Sequence, residues 1–532
     1  MHHVIDVAMA SAAMVVKTLQ GSHANEMSAT YAAELISEIC DASELGGYDF
    51  IVDNMQDILQ GLLNAISLDE FTLSFFELGP NSNVPDDEPN VKIISGRIDE
   101  NEDTGVEGEE VEQGERDAYG EDDEADASGS GLRPKAKWCL NCLSTAFQAE
   151  LVEAIPTVFS IILANDNGDN NKWVETEAAL TMLAELCDEL YPNIPQQGVD
   201  IVLNTCSDVL TQSPVALMRS AAIRCLLHLL HGQAAAVLDE DHNAPSFSSE
   251  EVLSLIAAAI CDDNKYVQRV AIDATEKQIP SALRVWASED ETINILEGFG
   301  VSPDNLTGLF SMLIKKFDSF QLQSRVSLLA LFSIFAENDP VHGCLANVAD
   351  DLLALLASYW DSLSPLCYEN AAVINCLCDV LESLTPEQLS ACSEGVVNRC
   401  TMLCQVARES PNNHAAGDIA AMAMDTISTI CDSLDEFVVP ADLLSIFLFF
   451  AENAGTEWQV SRAALGVIGD FAKSNASNQD ILNEAASSIY SLLGPMMDQF
   501  DQVTTRVRSN ALFCLSQWLS RTVQSLPAGG MT

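Results

Sequence analysis

Apolar side chains recur along most of the chain at the spacing of an α-helix. From Met218 to Leu229, apolar residues fall at positions i, i+3, i+4, i+7, i+8 and i+11, which places them in one stripe at 3.6 residues per turn. The segment from Val460 to Phe471 repeats this template. The alternation of apolar and polar residues that is typical of a strand never persists, so the sequence predicts an all-α protein.

The helical segments share a motif in which an aliphatic residue is followed by a polar residue and then, three positions further on, by alanine. The copies begin at Met218, Val267, Val326, Val460 and Val507. Their spacing fits a unit of about 45 residues, and a small alanine lets paired helices approach closely, as in HEAT repeats. The sequence therefore predicts a HEAT-repeat α-solenoid, a superhelical arch of about ten helix pairs whose second helices form a concave binding face.

The first helices of these pairs are predicted in the gaps between the motifs. They cover Val199–Leu210, Ser249–Cys261, Asn305–Phe317, Asn347–Trp360 and Asn483–Met497. Most prolines fall between the predicted helices, where the missing backbone donor does no harm.

A dense run of acidic residues interrupts the helical pattern. Between Asp99 and Asp126 fifteen residues are acidic, Arg116 is the one base, and almost none is apolar. Such a segment cannot bury enough apolar surface to offset the entropy of ordering it, so it is predicted to be disordered. Composition leaves two roles open for it: a solubilising insertion, or a tethered polyanion that competes with a basic ligand for the concave face.

The chain is thus predicted to contain four regions. These are HEAT repeats over 1–79, an acidic disordered loop over 80–131, HEAT repeats that form a binding arch over 132–522, and a flexible tail over 523–532.

Charge narrows the class of partner. The 532 residues include 24 Lys or Arg and 80 Asp or Glu, which gives a formal net charge of −56, and 48% are hydrophobic. Nucleic acid and anionic membrane surfaces are excluded as main partners because both need clustered basic residues. A basic protein segment is favoured instead. The longest apolar runs are too short to span a bilayer, and the sixteen unevenly spaced cysteines are typical of a reducing compartment, so we expect a soluble intracellular protein. We also expect a monomer.

The sequence contains no motif that indicates catalysis. It has no P-loop, no Gly-x-Ser-x-Gly, no His-Glu-x-x-His and no kinase signature. Cys139 and Cys142 form a Cys-x-x-Cys on a predicted helix with no second pair, which favours core packing over redox or zinc chemistry. We therefore predict a protein that is not an enzyme and needs no cofactor or metal.

Short segments occur in a recognisable order along the chain. They are Asn83–Ile93 before the acidic run, Leu132–Cys142 after it, then Trp173-Val174, Leu190-Tyr191-Pro192, Met218-Arg219-Ser220, Asn264-Lys265, Leu352–Trp360 and Gly469–Lys473. This series resembles the importin-β superfamily of nuclear transport receptors, and within it the transportin (karyopherin-β2) group. The resemblance covers Val4–Leu519, and it implies that the N-terminal repeats and the last C-terminal repeats of that family are missing here.

The resemblance implies a function. Members of this group bind basic nuclear localisation segments of cargo proteins on the concave face and shuttle between cytoplasm and nucleus. The Ran GTPase and nucleoporins are their further partners. The alternative is a HEAT-repeat scaffold or regulatory subunit, of the phosphatase type for example, without Ran-coupled transport.

The resemblance also implies a cargo site near the C-terminus. Asp425, Asp432 and Asp470 match acidic positions of the family, and carboxylates neutralise a basic ligand. Asn510 and Phe513 match the asparagine and tryptophan of an aromatic platform, where phenylalanine retains a π-surface with lower affinity for cations.

A second pocket of the family reads a Pro-Tyr dipeptide, and here the sequence departs from the pattern. Arg224 occupies the position of a tryptophan, and Ala330 that of an acid. Glu337 keeps one carboxylate, and Trp138 supplies an aromatic group from the preceding repeats. We expect this pocket to contribute little, because Arg224 repels a basic peptide.

In the family, the acidic loop expels cargo when the GTPase binds. The resemblance implies that the release-loop residues in this sequence are Asp99, Glu100, Glu109, Glu110, Glu121, Asp122, Asp123 and Glu124.

Overall fold

The computed structural model describes the chain in fifteen stretches. They are 12–20, 26–41, 48–67, 132–163, 172–238, 247–287, 303–338, 345, 347–410, 413–434, 439–440, 443–453, 458–475, 479–497 and 505–522. Within these stretches the chain forms twenty α-helices and two short 3₁₀ turns and contains no strand. The prediction of an all-α fold is confirmed.

The described residues form two compact units, divided between Asn305 and Leu306. The helices of the N-terminal unit are α1 (Ala12–Gln20), α2 (Glu26–Asp41), α3 (Tyr48–Ile66), α4 (Leu132–Ala146), α5 (Gln148–Leu163), α6 (Lys172–Leu190), α7 (Gln196–Gln212), α8 (Ala216–Leu238), α9 (Ser249–Ile260) and α10 (Lys265–Ala287). A 3₁₀ turn at Tyr191–Asn193 links α6 to α7.

The C-terminal unit is formed by the ten helices that follow. They are α11 (Pro303–Lys316), which begins just before the division, α12 (Leu322–Asn338), α13 (Ala349–Ser362), α14 (Tyr368–Glu382), α15 (Pro386–Glu409), α16 (His414–Ser433), α17 (Leu444–Asn453), α18 (Trp458–Ser474), α19 (Gln479–Met497) and α20 (Thr505–Thr522). The five first helices predicted from the sequence correspond to α7, α9, α11, α13 and α19, each with ends within four residues of the prediction.

In each unit the helices stack as two parallel rows. In the N-terminal unit α2, α4, α6, α8 and α10 pack in succession, and each also packs against the helix before it in the chain. In the C-terminal unit the same is true of α14, α16, α18 and α20, and α12 packs against α14. We call these the second-helix rows, and the other helices the first-helix rows. Pairs that stack side by side are the arrangement of a HEAT solenoid, so this prediction is also confirmed.

The alanine of the repeated motif lies on the buried side of its helix in most copies. Ala222, Ala271, Ala464 and Ala511 are all completely buried, and only Ala330 is half-buried. A residue with a single methyl group lets the helix axes come close without leaving a cavity. The motif alanine therefore belongs to the packed interior in four of its five copies.

The predicted acidic loop (80–131) and tail (523–532) lie outside the described residues, as do the eight release-loop carboxylates between Asp99 and Glu124. Among the helices that the structure describes, none has the length and apolar character required to cross a membrane.

Candidate functional site

Three successive second helices bring five of the predicted site residues onto neighbouring positions. Asp425 and Asp432 lie on α16, Asp470 on α18, and Asn510 and Phe513 on α20. Helix α18 packs between α16 and α20. We call this group the C-terminal acidic surface.

Asp425 is ion-paired within the protein. Its Oδ2 accepts a hydrogen bond from a terminal nitrogen of Arg462 on α18 at 2.9 Å, and both side chains are about two-fifths exposed. Partial burial raises the pKa of Asp425, although the Arg462 guanidinium opposes this shift. A ligand that approaches Asp425 therefore meets a carboxylate that already has a cationic neighbour.

Asp432 has the same kind of partner two helical turns further along. Lys473 Nζ donates to Asp432 Oδ1 at 2.8 Å, and Asp432 is the more exposed member, at 60% against 37%. An ion pair this exposed contributes little to stability, because water screens the charges. Replacement of Lys473 by another cation beside Asp432 therefore costs little free energy.

Asp470 differs from the two other acids because it is buried, at 2% exposure. Ser428 of α16 donates a hydrogen bond to Oδ2, while Oδ1 has no hydrogen-bond partner among the described atoms. Burial raises the pKa of Asp470 to about 6; nearby Asp432 adds to the rise, and the Ser428 bond and Lys473 oppose it. The expected surface contact is thus, in this structure, a carboxylate between helices.

Asn510 joins α20 to α18 through the backbone. Its Nδ2 donates to the carbonyl oxygen of Arg462 at 2.8 Å. Asn510, which matches the asparagine of the family, therefore holds α20 against α18. Helix α18 also carries Arg462, the partner of Asp425.

Phe513 rests on a glycine of the neighbouring helix and remains 37% exposed. A Cβ atom placed on Gly469 would lie only 2.6 Å from Cε1 and 2.8 Å from Cδ1 of the ring. The absence of a side chain at Gly469 thus allows the ring to lie against α18. Part of the Phe513 ring remains accessible beside Gly469, the residue that precedes Asp470 in the chain.

The remaining predicted residues lie elsewhere. Glu337 is in the last turn of α12, and its side chain is outside the described residues. Trp138 lies on α4 of the N-terminal unit with 45% of its surface exposed. Neither is part of the C-terminal acidic surface.

Arg224 lies on α8, half-buried, beside Tyr266 and Asp273 of α10. Burial lowers its pKa, whereas the two neighbours raise it.

The sequence did not identify the two cations, Arg462 and Lys473, as part of this site. It also did not identify a further acid, Asp379, on the preceding second helix. Asp379 on α14 accepts a hydrogen bond from Ser333 of α12. Asp379, Asp425 and Asp470 are separated by 46 and 45 residues, which is close to the length of one repeat. The spacing of about one repeat was a visible signal that α14, α16 and α18 each carry an acid, although Asp379 and Asp470 accept from a serine of the preceding second helix and Asp425 pairs with Arg462 of the following one.

Among the residues that the structure describes, no group of three or more His, Cys, Asp or Glu side chains is arranged to hold a metal ion. Cys139 is completely buried, and burial raises the pKa of its thiol well above the usual value. A buried neutral thiol is a poor nucleophile.

Solved structures of other proteins share this fold. Lph2, described as a bidirectional nuclear transport receptor of S. cerevisiae, matches with a TM-score of 0.58 at 11% identity over 98% of this chain and 50% of its own. Importin beta matches with a TM-score of 0.50 at 12% identity over 97% of this chain and 55% of its own. The chain therefore spans about half the length of these structures. No protein-family model matches the sequence, and no curated protein matches it.

Proposed function

We propose that this chain is a nuclear transport receptor of the karyopherin type, and that its C-terminal acidic surface binds basic segments of cargo proteins. The fold supports this proposal, because nearly the whole of this chain matches the folds of importin beta and Lph2. The observation that carries it is the exposed pairing of Asp425 and Asp432 with cations of the next helix.

These pairs suggest how a basic segment binds. Arg462 and Lys473 occupy the sites that lysine or arginine of a cargo would take. A cargo cation replaces one weak, solvent-exposed partner by another, so little desolvation opposes the exchange. The exposed part of the Phe513 ring then receives the aliphatic stem or guanidinium of a neighbouring cargo residue.

Asp470 has a supporting part in this proposal. Its burial keeps it from direct contact with a ligand in this structure, but it bonds to Ser428 on the same helix as both exposed acids. Asp470 thereby contributes to the position of α16 relative to α18, which sets the distance between each acid and its cation.

A transportin-type role is supported by the sequence resemblance alone. It would include Ran and nucleoporins as partners, shuttling between cytoplasm and nucleus, and release of cargo by the acidic loop between Asp99 and Asp126. Deletion of that loop should tighten the binding of a basic peptide at low salt, and unchanged affinity would make the segment a solubilising insertion.

The test is a titration of the full chain with a fluorescein-labelled lysine- and arginine-rich peptide, read by fluorescence anisotropy. The double substitution Asp425→Asn and Asp432→Asn should weaken binding by about one to two orders of magnitude, since hydrogen bonds to charged groups contribute about 1.5–3 kcal/mol each when shielded and less when exposed.

A matched control is available on the first-helix row. Asp361 is 64% exposed and pairs with Arg399 of a neighbouring helix, as the site acids do. Asp361→Asn should leave the affinity unchanged. Equal loss in the control, or no loss in the double variant, would favour the scaffold alternative, in which general negative charge explains any binding.

A Pro-Tyr peptide adds a second comparison. Replacing its tyrosine by alanine should matter little if Arg224 has changed the Pro-Tyr pocket. A large tyrosine effect together with no effect of the Asp425 and Asp432 substitutions would show that this pocket, and not the acidic surface, carries the affinity.

A further inference from the structure

Helix α20 carries a serine that is distinguished by the bases before it. Ser509 follows Arg506, Val507 and Arg508, so arginine precedes it by three positions and again by one. No other serine or threonine of the sequence has an arginine three positions before it. Serine kinases choose substrates by the pattern of charge around the hydroxyl group, and arginine at the third preceding position is what one class of them requires. The sequence therefore contains a single position for a kinase of this class.

The structure leaves Ser509 accessible. Its side chain is exposed, and it lies near the start of α20, which begins at Thr505. A kinase binds the segment around its substrate serine in an extended form, so the first turns of α20 must open. Helix ends open at a lower free-energy cost than helix interiors. Exposure and position thus both allow phosphorylation at Ser509.

Ser509 adjoins the C-terminal acidic surface. Its neighbour Asn510 donates to the backbone oxygen of Arg462 on α18 at 2.8 Å. Phe513 follows Ser509 by four positions, and residues at this spacing lie on the same side of a helix. Both side chains are exposed. A phosphate on Ser509 would therefore lie on the same side of α20 as the accessible part of the Phe513 ring.

The guanidinium of Arg462 has donors that a phosphate can use. The side chain is 41% exposed, and one terminal nitrogen donates to Asp425 at 2.9 Å. Its Nε has no hydrogen-bond partner among the described atoms. Asp425 thus uses only part of the donor capacity of Arg462. A phosphate, which adds about −1.5 to −2 charges and three acceptor oxygens, is a group that guanidinium donors bind well.

We propose that Ser509 is phosphorylated by an arginine-directed serine kinase, and that the phosphate strengthens the binding of basic segments to the C-terminal acidic surface. The Ser509 hydroxyl oxygen attacks the terminal phosphorus of a magnesium-bound nucleoside triphosphate. The bond from that phosphorus to the diphosphate breaks, the diphosphate leaves, and the hydroxyl proton passes to a base of the kinase. This role rests on the function proposed above, and it supplies the regulation of the same site.

The direction of the effect follows from charge. The phosphate adds negative charge near Phe513, where a guanidinium of a basic segment stacks. It also competes with Asp425 for Arg462, which leaves the Asp425 carboxylate open to a ligand. Both changes attract a basic segment. Phosphorylation of Ser509 therefore increases affinity and does not act as a release signal.

The full chain is treated with ATP and a calcium/calmodulin-dependent serine kinase, which recognises arginine at the third preceding position. Mass spectrometry should place a phosphate on Ser509. Fluorescence anisotropy with the labelled lysine- and arginine-rich peptide should then show an affinity about tenfold higher than before treatment, and this gain should shrink at high salt. Arg506→Gln, which removes the arginine that the kinase recognises, should slow the phosphorylation by about tenfold.

Matched controls lie on the same helix. Ser516 and Ser520 are exposed, as Ser509 is, but have no arginine three positions before them. After treatment, Ser516→Ala should carry phosphate on Ser509 and bind as the treated unmodified chain does. Ser509→Ala should carry no phosphate on α20 and show no gain in affinity. Circular dichroism checks that each variant is folded, and alanine at these exposed positions is a better helix former than serine.

Three results would overturn the proposal. They are the absence of phosphate from Ser509, a preference of the kinase for Ser516 or Ser520, and an unchanged or lower affinity of the chain that is phosphorylated on Ser509. Failure of the function proposed above is seen separately, in the untreated protein. There, Asp425→Asn with Asp432→Asn would bind the peptide as the unmodified chain does.

Discussion

The two helix rows of the C-terminal unit differ in how closely their neighbours approach. On α18, in the second-helix row, a Cβ on Gly469 would overlap the Phe513 ring, and one on Gly466 would lie 3.2 Å from Asn510 Nδ2. On α15, in the first-helix row, a Cβ on Gly395 would meet nothing within 4 Å. Close packing thus restricts the second-helix row, while the first-helix row has open surface.

The second-helix row also contains a buried charged group, in addition to its exposed Asp425 and Asp432. Asp470 in the second-helix row is buried. In the first-helix row, Asp361 is mostly exposed, and its partner Arg399 lies over the Trp360 ring at 5.5 Å. Substitutions of buried residues in the second-helix row should therefore change stability strongly, and for Asp470 with pH, whereas substitutions of exposed residues in the first-helix row should not.

The largest expected effect is that of Trp518→Ala. Trp518 is completely buried on α20, donates from Nε1 to the carbonyl oxygen of Ile468 at 3.0 Å, and stacks on Phe471 with a 6.4 Å centroid distance. Its removal should lower the free energy of unfolding by about 3–5 kcal/mol. Urea denaturation followed by circular dichroism measures the change. Met402→Ala on α15 should change it by less than about 0.5 kcal/mol, and similar values for both would contradict the contrast between rows.

The second prediction concerns pH. Burial raises the pKa of Asp470 to about 6 in the folded protein, and an unfolded chain has an aspartate pKa of about 3.9. The folded state then binds more protons than the unfolded state between these values, so this residue's contribution to stability is present below pH 4 and is lost as pH rises through 6.

Asp470→Asn removes that dependence. The stability of the variant minus that of the unmodified chain should be larger at pH 8 than at pH 4, by at most about 3 kcal/mol for a two-unit pKa shift. Urea midpoints measured at both pH values test this. Asp361→Asn, at an exposed position, should change stability by the same amount at both pH values. If Asp470→Asn also changed stability by the same amount at pH 4 and pH 8, the Asp470 carboxylate would not be buried.

The smallest expected effects come from two glycine substitutions with opposite signs. Gly469→Ala should destabilise the protein by about 1–2 kcal/mol, because the new methyl group forces the Phe513 ring away. Gly395→Ala should stabilise it by about 0.5–1 kcal/mol, since alanine is the better helix former and the space is free. Thermal unfolding of both variants gives the signs, and two changes of the same sign would be inconsistent with the packing described.

Much of the fold could be predicted from sequence because its signals are local. The apolar stripe and the motif alanine specify which side of each second helix is buried, and Ala222 and Ala464 confirm this in the structure. Proline positions and helix caps are similarly local. Thr385 and Gln388, for example, form a capping box at the start of α15, and Pro386 directly follows Thr385 as the first residue of the helix.

The chemistry of the candidate site could be predicted only in part. That Asp425 and Asp432 share a helix face follows from their spacing. Their partners Arg462 and Lys473 are 37 and 41 residues away on the next helix, so no pattern within one helix reveals them. The different exposure of Asp470 and Asp432 likewise depends on which neighbouring helix covers each of them, which is a property of stacking and not of sequence.

The two hydrogen bonds from α20 to backbone oxygens of α18 have a mechanical consequence. Asn510 and Trp518 donate to the carbonyls of Arg462 and Ile468, and eight residues of helix separate the donors by about 12 Å. Two hydrogen bonds at separate points along the helix oppose both sliding and rotation of α20 against α18. We therefore expect α18 and α20 to move as one rigid body when the protein deforms, and deformation to concentrate at helix pairs without such hydrogen bonds.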